Sequence, residues 1–426
     1  MAREHFIACS SVLVVSTLAM LGEPAVAQTA ESIARQAVRD RVRPGYETDG
    51  VPVGAFVARP VFAIGEKYID NIYATADDET SDAVTAIDAT GSIESLWSVH
   101  SLGAYWDLGY NAFADNSDEN FLDATAGARG RLDFGVSTAA DLDASYASLH
   151  EPRTSSNSPA NVLEPITYTV AAADARIGHT FDQLELTAGA GYREYSYDDA
   201  PLAGGAVLDQ NFRDRQQITA IARGEYRFSE RTWWFAEIEG NQRDYDLAPP
   251  DVLIDRSSEG YQALIGAGFD FTQLITGEAA IGYFRQDFDA VIPGSDGSVE
   301  GMDARANINW FMTPLTNVQL LVARDVSESS LAGSVGYVST AGSFIIDHDL
   351  ATNIILSGRL DYNVDDYQQV DRNDDRFGVG LGATYLLDDH FGVELQATHI
   401  EQDSSGDASG TEFDINELSV RLRAAL

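Results

Sequence analysis

Past its first two dozen residues this sequence has no apolar run of about 20, the length with which an α-helix crosses a bilayer. A helical membrane protein is thereby excluded, and the mean hydropathy of -0.16 agrees. Cysteine is almost absent, since Cys9 is the only one and lies in the N-terminal apolar stretch. A mature chain without that stretch has no disulfide and no cysteine-ligated metal. Bases are scarce as well, 27 Lys and Arg against 67 Asp and Glu, for a formal charge of -40. Nucleic acid, which is held through a basic face, is excluded as a partner.

At the N-terminus Arg3 precedes an apolar core from Phe6 to Leu21, and Ala25-Val26-Ala27 precedes Gln28. That is the pattern of a Sec signal peptide with a small-x-small cleavage site, so residues 1–27 are expected to be removed. An anchoring helix fits less well, because the core is short and no basic stop-transfer cluster follows. Removal takes one base and two acids and leaves a charge of -39. Residues 28–58 are polar and carry Pro44, Gly45, Gly50 and Pro52. They read as a periplasmic lead-in, with a helix between Ala30 and Arg41.

What the rest of the chain has is alternation, clearest between Ser257 and Asp287. Tyr261, Ala263, Ile265, Ala267, Phe269 and Phe271 alternate with Gln262, Gly266, Gly268 and Asp270, and after a turn Ala279, Ile281 and Tyr283 alternate with Glu278, Gly282 and Gln286. Period two belongs to a strand, whose successive side chains point to opposite faces. Arms of ten residues or more exceed the roughly 5–6 of a typical globular strand and suit a barrel crossing a membrane. Such a barrel escapes hydropathy detection, because its apolar residues alternate with polar ones even where 44% of residues are hydrophobic and glycine numbers 36.

Two kinds of connection interleave along residues 59–426. Short ones are expected near Val99-His100, Gly135-Val136, Thr180-Asp182, Ser229-Arg231, Gln273-Thr276, Thr313-Thr316, Asp347-Leu350 and Asp388-His390. Longer, more acidic ones run over 76–81, 115–120, 150–165, 198–211, 246–256, 290–300, 327–333, 365–374 and 403–414. Eight turns and nine loops predict an all-β, transmembrane antiparallel barrel of about 18 strands, with short periplasmic turns and longer acidic extracellular loops. Tyr226, Phe228, Trp233, Trp234, Phe269, Phe271, Trp310, Phe311, Tyr385 and Phe391 collect beside the short turns, as an interfacial girdle would. A propeller repeats at a similar interval but must fit four short strands where this chain has two long ones.

The inward face of such a barrel carries the candidate lumen residues: Arg223, Glu225, Arg227, Glu237, Glu239, Asp303, Arg305, Asp325, Arg359, Asp361, Glu394, Arg421 and Arg423. Both signs are represented, so they can pair across strands and stay hydrated. A structural ladder and a selectivity surface predict the same residues. Catalytic, cofactor and metal sites are not expected. Gly378-Val379-Gly380-Leu381-Gly382 sits mid-strand with no helix after it, so lumen space or close packing explains it better than phosphate binding. The carboxylates of 115–119 and 371–375 lack EF-hand spacing and read as solvated loops. His100, His179, His348 and His390 fall at expected turns, and His150 near Ser155 and Ser156 lacks the strained turn of a hydrolase nucleophile.

Three stretches are distinctive: Arg43-Pro44-Gly45-Tyr46 with Gly50, Gly54 and Pro60, then Tyr68-Ile69-Asp70-Asn71-Ile72-Tyr73, then Trp310-Phe311-Met312-Thr313-Pro314-Leu315-Thr316. Through them the chain, from Arg43 onward, resembles the beta-barrel porin 2 family of outer-membrane barrels. The resemblance implies an outer-membrane barrel of a Gram-negative bacterium, associated with exopolysaccharide production or export. Leu426 departs from the aromatic residue common at the ends of such barrels. The reading is a porin-like channel in contact with outer-membrane lipid and lipopolysaccharide. A polysaccharide cargo and periplasmic export components are what the resemblance adds. A loop-plugged scaffold or adhesion barrel is the second reading and an outer-membrane hydrolase the third.

Overall fold

The computed structural model describes residues 37–426 apart from 160, 250, 253, 272–273, 290–296 and 332. The expected signal peptide and most of the expected N-terminal helix lie outside these residues. Its described end forms only a 3-10 turn at Val38–Asp40. A short strand β1 (Val51–Val53) pairs with β2 (Phe56–Ile69), the first strand of the wall. The wall therefore begins at Phe56, ahead of the expected start at 59.

Six strands follow: β3 (Asp82–Ser95), β4 (Ser101–Phe113), β5 (Phe121–Asp133), β6 (Thr138–His150), β7 (Thr167–Phe181) and β8 (Leu184–Tyr197). A two-stranded flap, β9 (Ala200–Pro201) and β10 (Val207–Leu208), then stands in a loop. The wall resumes with β11 (Arg215–Ser229), β12 (Thr232–Tyr245), β13 (Ser258–Phe271), β14 (Ile275–Phe288), β15 (Ser298–Thr313) and β16 (Thr316–Glu328). It ends with β17 (Gly336–Ala351), β18 (Ile354–Tyr367), β19 (Asn373–Leu386), β20 (Phe391–Ser405) and β21 (Phe413–Ala425). Wall strands pair antiparallel with their sequence neighbours, β8 pairs with β11, and β2 closes the ring on β21 from Val61↔Ala425 to Ile69↔Glu417. The result is a closed barrel of 18 strands, as the alternation of turns and loops predicts.

Closure leaves each strand one face in and one face out. The outward face is apolar and bare: Ile265 is 67% exposed, Leu381 63% and Ile281 58%. A wall-wide apolar surface of this kind is what lipid covers. The inward face is polar, glycine-rich and locally packed, so the barrel has small inner clusters rather than one core. One of them joins Phe235, Leu264 and Ala280 with Trp233 against them.

Several local expectations change. The turn expected at Asp347-Leu350 falls at Thr352-Asn353, and Asp347 and Asp349 are strand residues of β17. His179 and His348 are likewise in strands, each bonded to a threonine hydroxyl across the ladder, Thr138 and Thr316 respectively. Trp233 and Phe311 leave the expected girdle. Trp233 packs against the inner cluster and Phe311 is buried, whereas Trp234, Phe228 and Phe271 are exposed on the outer face.

Candidate functional site: the lumen

Cross-strand register decides which side chains share the lumen. Arg223 stands opposite Glu237, Glu237 opposite Leu264, Leu264 opposite Gly282 and Gly282 opposite Asp303. Stepping by two along each strand adds Glu225, Arg227, Glu239 and Arg305 to that face. Asn307 opposite Leu321 carries the parity to Asp325 and its partner Ser339, and Ser343 opposite Asp361 carries it to Arg359. Glu394 opposite Arg421 adds those two and Arg423. All thirteen candidate residues thus lie on the face opposite Ile265.

The structure gathers most of them into three networks. Arg223 meets Glu278 at 2.7 Å, Glu225 at 3.2 Å and Glu237 at 3.5 Å, with Arg305 3.2 Å from Glu237 and Arg227 2.6 Å from Glu225. Arg359 pairs with Asp361 at 2.6 Å, above the inward glycines Gly378 and Gly380. Arg421 spans Asp88 at 3.4 Å and Glu394 at 3.2 Å. Glu239 and Asp325 join none of these pairs.

Inward glycines make room for rings. A Cβ on Gly268 would stand 1.8 Å from the Trp233 indole, and one on Gly266 would stand 2.3 Å from the Phe235 ring. Trp233 Nε1 donates to Glu278 at 3.0 Å, and the Arg223 guanidinium lies 3.7 Å from the Phe235 ring centre. Rings, glycines and ion pairs form one packed patch on the wall.

At the loop end the segment after β6 folds inward. Ser156 Oγ donates to Asp365 at 3.2 Å and Arg376 donates to Ser156 Oγ at 3.3 Å. Asn157 Oδ1 accepts from the Ser330 backbone at 2.9 Å. These partners stand on or beside β16, β18 and β19, across the lumen from β6. The segment is pinned further by a bridge between Val162 and Leu202 and by a cluster of Val162, Ile166, Tyr197 and Ala200.

A buried charge knot fastens this closure. Arg213 lies 2.7 Å from Glu151 and 3.2 Å from Glu328, with its guanidinium 4.0 Å from the Tyr197 ring centre. Glu328 also takes Arg215 at 2.6 Å and the hydroxyls of Tyr197 and Tyr245 at 3.0 and 3.2 Å. Burial alone would lower the Arg213 pKa, but Tyr197, Glu328 and Glu151 outweigh it and hold the value well above that of an ordinary arginine. Sequence reasoning missed Glu151, Arg213, Arg215 and Glu328 because all four sit at strand ends or in loops, where charge reads as solvated. Tyr195, Tyr197 and Tyr245 around them were the available signal.

Behind the segment is a cavity of about 100 Å³, lined by Phe113, Phe121, His150, Ile400 and Ile415 with Lys67, the chain's only lysine, at its edge. His150 ends β6 rather than standing in a loop. Its Nδ1 lies 2.9 Å from Asp123 and its ring stacks on Phe121 at 3.5 Å. Ser155 Oγ donates to Glu151 instead, so the nucleophile and base of a hydrolase are not brought together. The acidic loops are solvated only in part, since Asp115, Asp118 and Asp371 are exposed while Glu119 and Asp374 are buried with partners. Asp82 accepts the backbone of Asn116 at 2.9 Å, Glu119 pairs with Arg153, and Asp374 pairs with Arg372 at 2.6 Å. Among the described residues Asp388, Asp389 and His390 come close enough to share a cation, but all three are exposed. Asp388 accepts the backbone N–H groups of His390 and Phe391, which lower its pKa and cap the turn.

Of solved structures, the barrel is similar to OccK1 (OpdK) of Pseudomonas aeruginosa, at 13% identity over 87% of this chain and 99% of that one, with a TM-score of 0.45. OccK2 (OpdF) of the same organism, in complex with glucuronate, gives 13% identity, 90% and 100% coverage and 0.46. A BenF-like porin from Pseudomonas fluorescens Pf-5 gives 12%, 90%, 100% and 0.46. No curated protein matches the chain. A family model does, over residues 43–426, and the chain belongs to the outer-membrane barrel family that it describes, "Putative beta-barrel porin 2".

Proposed function

We propose that the protein is a passive outer-membrane channel whose lumen is narrowed by the segment following β6, and that its cargo is small and hydrophilic. The observation that carries this is the fastening of Ser156 and Asn157 to the far wall together with the Arg213–Glu328 knot. Barrels of 16–18 strands leave an aqueous channel, and an inward segment sets its smallest section. The thirteen inward candidates act as its selectivity lining. By the general arrangement of such barrels, the short turns face the periplasm and the long loops the exterior. Sec export with cleavage after Ala27, and contact with lipopolysaccharide around the loop end, complete the reading. Catalysis has no part in it.

Passage of an exopolysaccharide, the cargo that the family resemblance implies, requires more of the same geometry. The segment would have to leave the lumen so that a polymer could thread, and export components would dock at the periplasmic turns. Planar-bilayer conductance in the presence of neutral polymers of graded size tests both readings. Partial block only by the smallest polymers supports the narrow channel. Entry of long polymers supports the glycan, and absence of conductance supports a plugged scaffold.

A further inference from the structure

The turn end of the lumen holds a contact between parts of the chain about 300 residues apart. The chain enters β1 from the inner side of the wall: a Cβ on Gly50 would stand 2.7 Å from Val57 and 2.9 Å from Arg59, two inward side chains, and Gly50 itself sits at φ +79°. From there residues 37–43 lie against β16 and β17, six and five strands around the ring from β2. The Val38 N–H donates to Asn317 Oδ1 at 2.5 Å. Arg39 pairs with Asp347, and Arg41 donates to the Pro314 carbonyl and to Asp349 at 3.2 Å. Arg43 donates to Asp349 at 2.5 Å and back to the Val38 carbonyl at 2.7 Å.

Both partners repeat at every second residue, Arg39-x-Arg41-x-Arg43 against Asp347-x-Asp349. Among the described residues these arginines are the only cations paired with the two carboxylates. Arg41, Arg43 and Val38 are buried by the contact. Apart from Val38 the contact is polar, so its release exposes little apolar surface. The short tether through Gly50 gives the segment a high effective concentration at the site.

We propose that Asn317, Asp347 and Asp349 form a docking site for an arginine-rich peptide inside the periplasmic mouth. Its occupant is this chain's own segment 37–43, and the docked segment is a releasable latch that narrows the pore from the end opposite the loops.

Single-channel recording tests this on full mature chains, with heat-modifiable mobility confirming that each variant is folded. Neutralising the latch with Arg39→Gln, Arg41→Gln and Arg43→Gln raises the unit conductance, and so does neutralising the site with Asp347→Asn and Asp349→Asn. Exchanging the charges on both sides restores the low conductance. A synthetic peptide of residues 37–45, added on the periplasmic side, blocks the arginine variant but not the aspartate variant. Unchanged conductance in both neutralised variants overturns the proposal. Equal block of both by the peptide overturns the assigned site.

Discussion

At the scale of single residues, buried charge and missing side chains shape the lumen more than any one motif does. Glu328 holds two arginines and two phenols out of water. Glu328→Ala leaves Arg213 and Arg215 short of their shared anion, and breaking a buried pair in this way costs about 3–5 kcal/mol. The expected outcome is a loosened segment after β6, read as a larger and noisier channel with an intact barrel. Gly268 illustrates the opposite dependence. Because a methyl group there would overlap Trp233, Gly268→Ala should expel the indole, break its bond to Glu278 and lower the temperature at which the folded band disappears on gels. The same crowding at Gly266 makes that position unsuitable as a tolerant lumen site, although its small size and inward parity are legible in the sequence.

At the scale of elements, the two faces of a strand differ in what they tolerate. Ile265→Arg puts a charge on the lipid face, which costs about 2–4 kcal/mol at the bilayer midplane. Thr125→Arg puts it inward, opposite Asp107, where insertion should proceed normally and the channel should become less cation-selective. Comparison of heat-modifiable fractions checks the pair. Loops differ in a similar way. The stretch from Glu151 to Pro159 is tied into the lumen, whereas every residue of the flap tip from Ala203 to Val207 is exposed. Elastase on intact cells should cut the tip and spare the inward stretch.

For the whole molecule, the decisive quantity is the excess of acids over bases, a formal charge of -40 over the full sequence. Acids crowd the loops, while most inward arginines are already paired to carboxylates. Their summed field should draw cations to the mouth, with a reach of about 10 Å at 0.1 M salt. Reversal potentials across a salt gradient are expected to show cation preference that shrinks as salt rises. Anion preference at low salt would mean that the paired arginines still set the field.

The sequence by itself determined the barrel, because period-two alternation over long arms and the interleaving of two loop classes are local properties that each strand carries on its own. It also determined which side chains point the same way, since parity along a strand needs no knowledge of neighbours. What fills the lumen was decided only by tertiary structure. Ser156 meets Asp365, Arg213 meets Glu328 and Arg39 meets Asp347 across 115 to 308 residues of chain, and no periodicity encodes such distances. Asp347 and Asp349 show the reason in small. Two acids two residues apart read as a turn when solvent is the assumed partner, but the ladders of β17 with β16 and β18 make them a strand, and three arginines from residues 39–43 meet their charge.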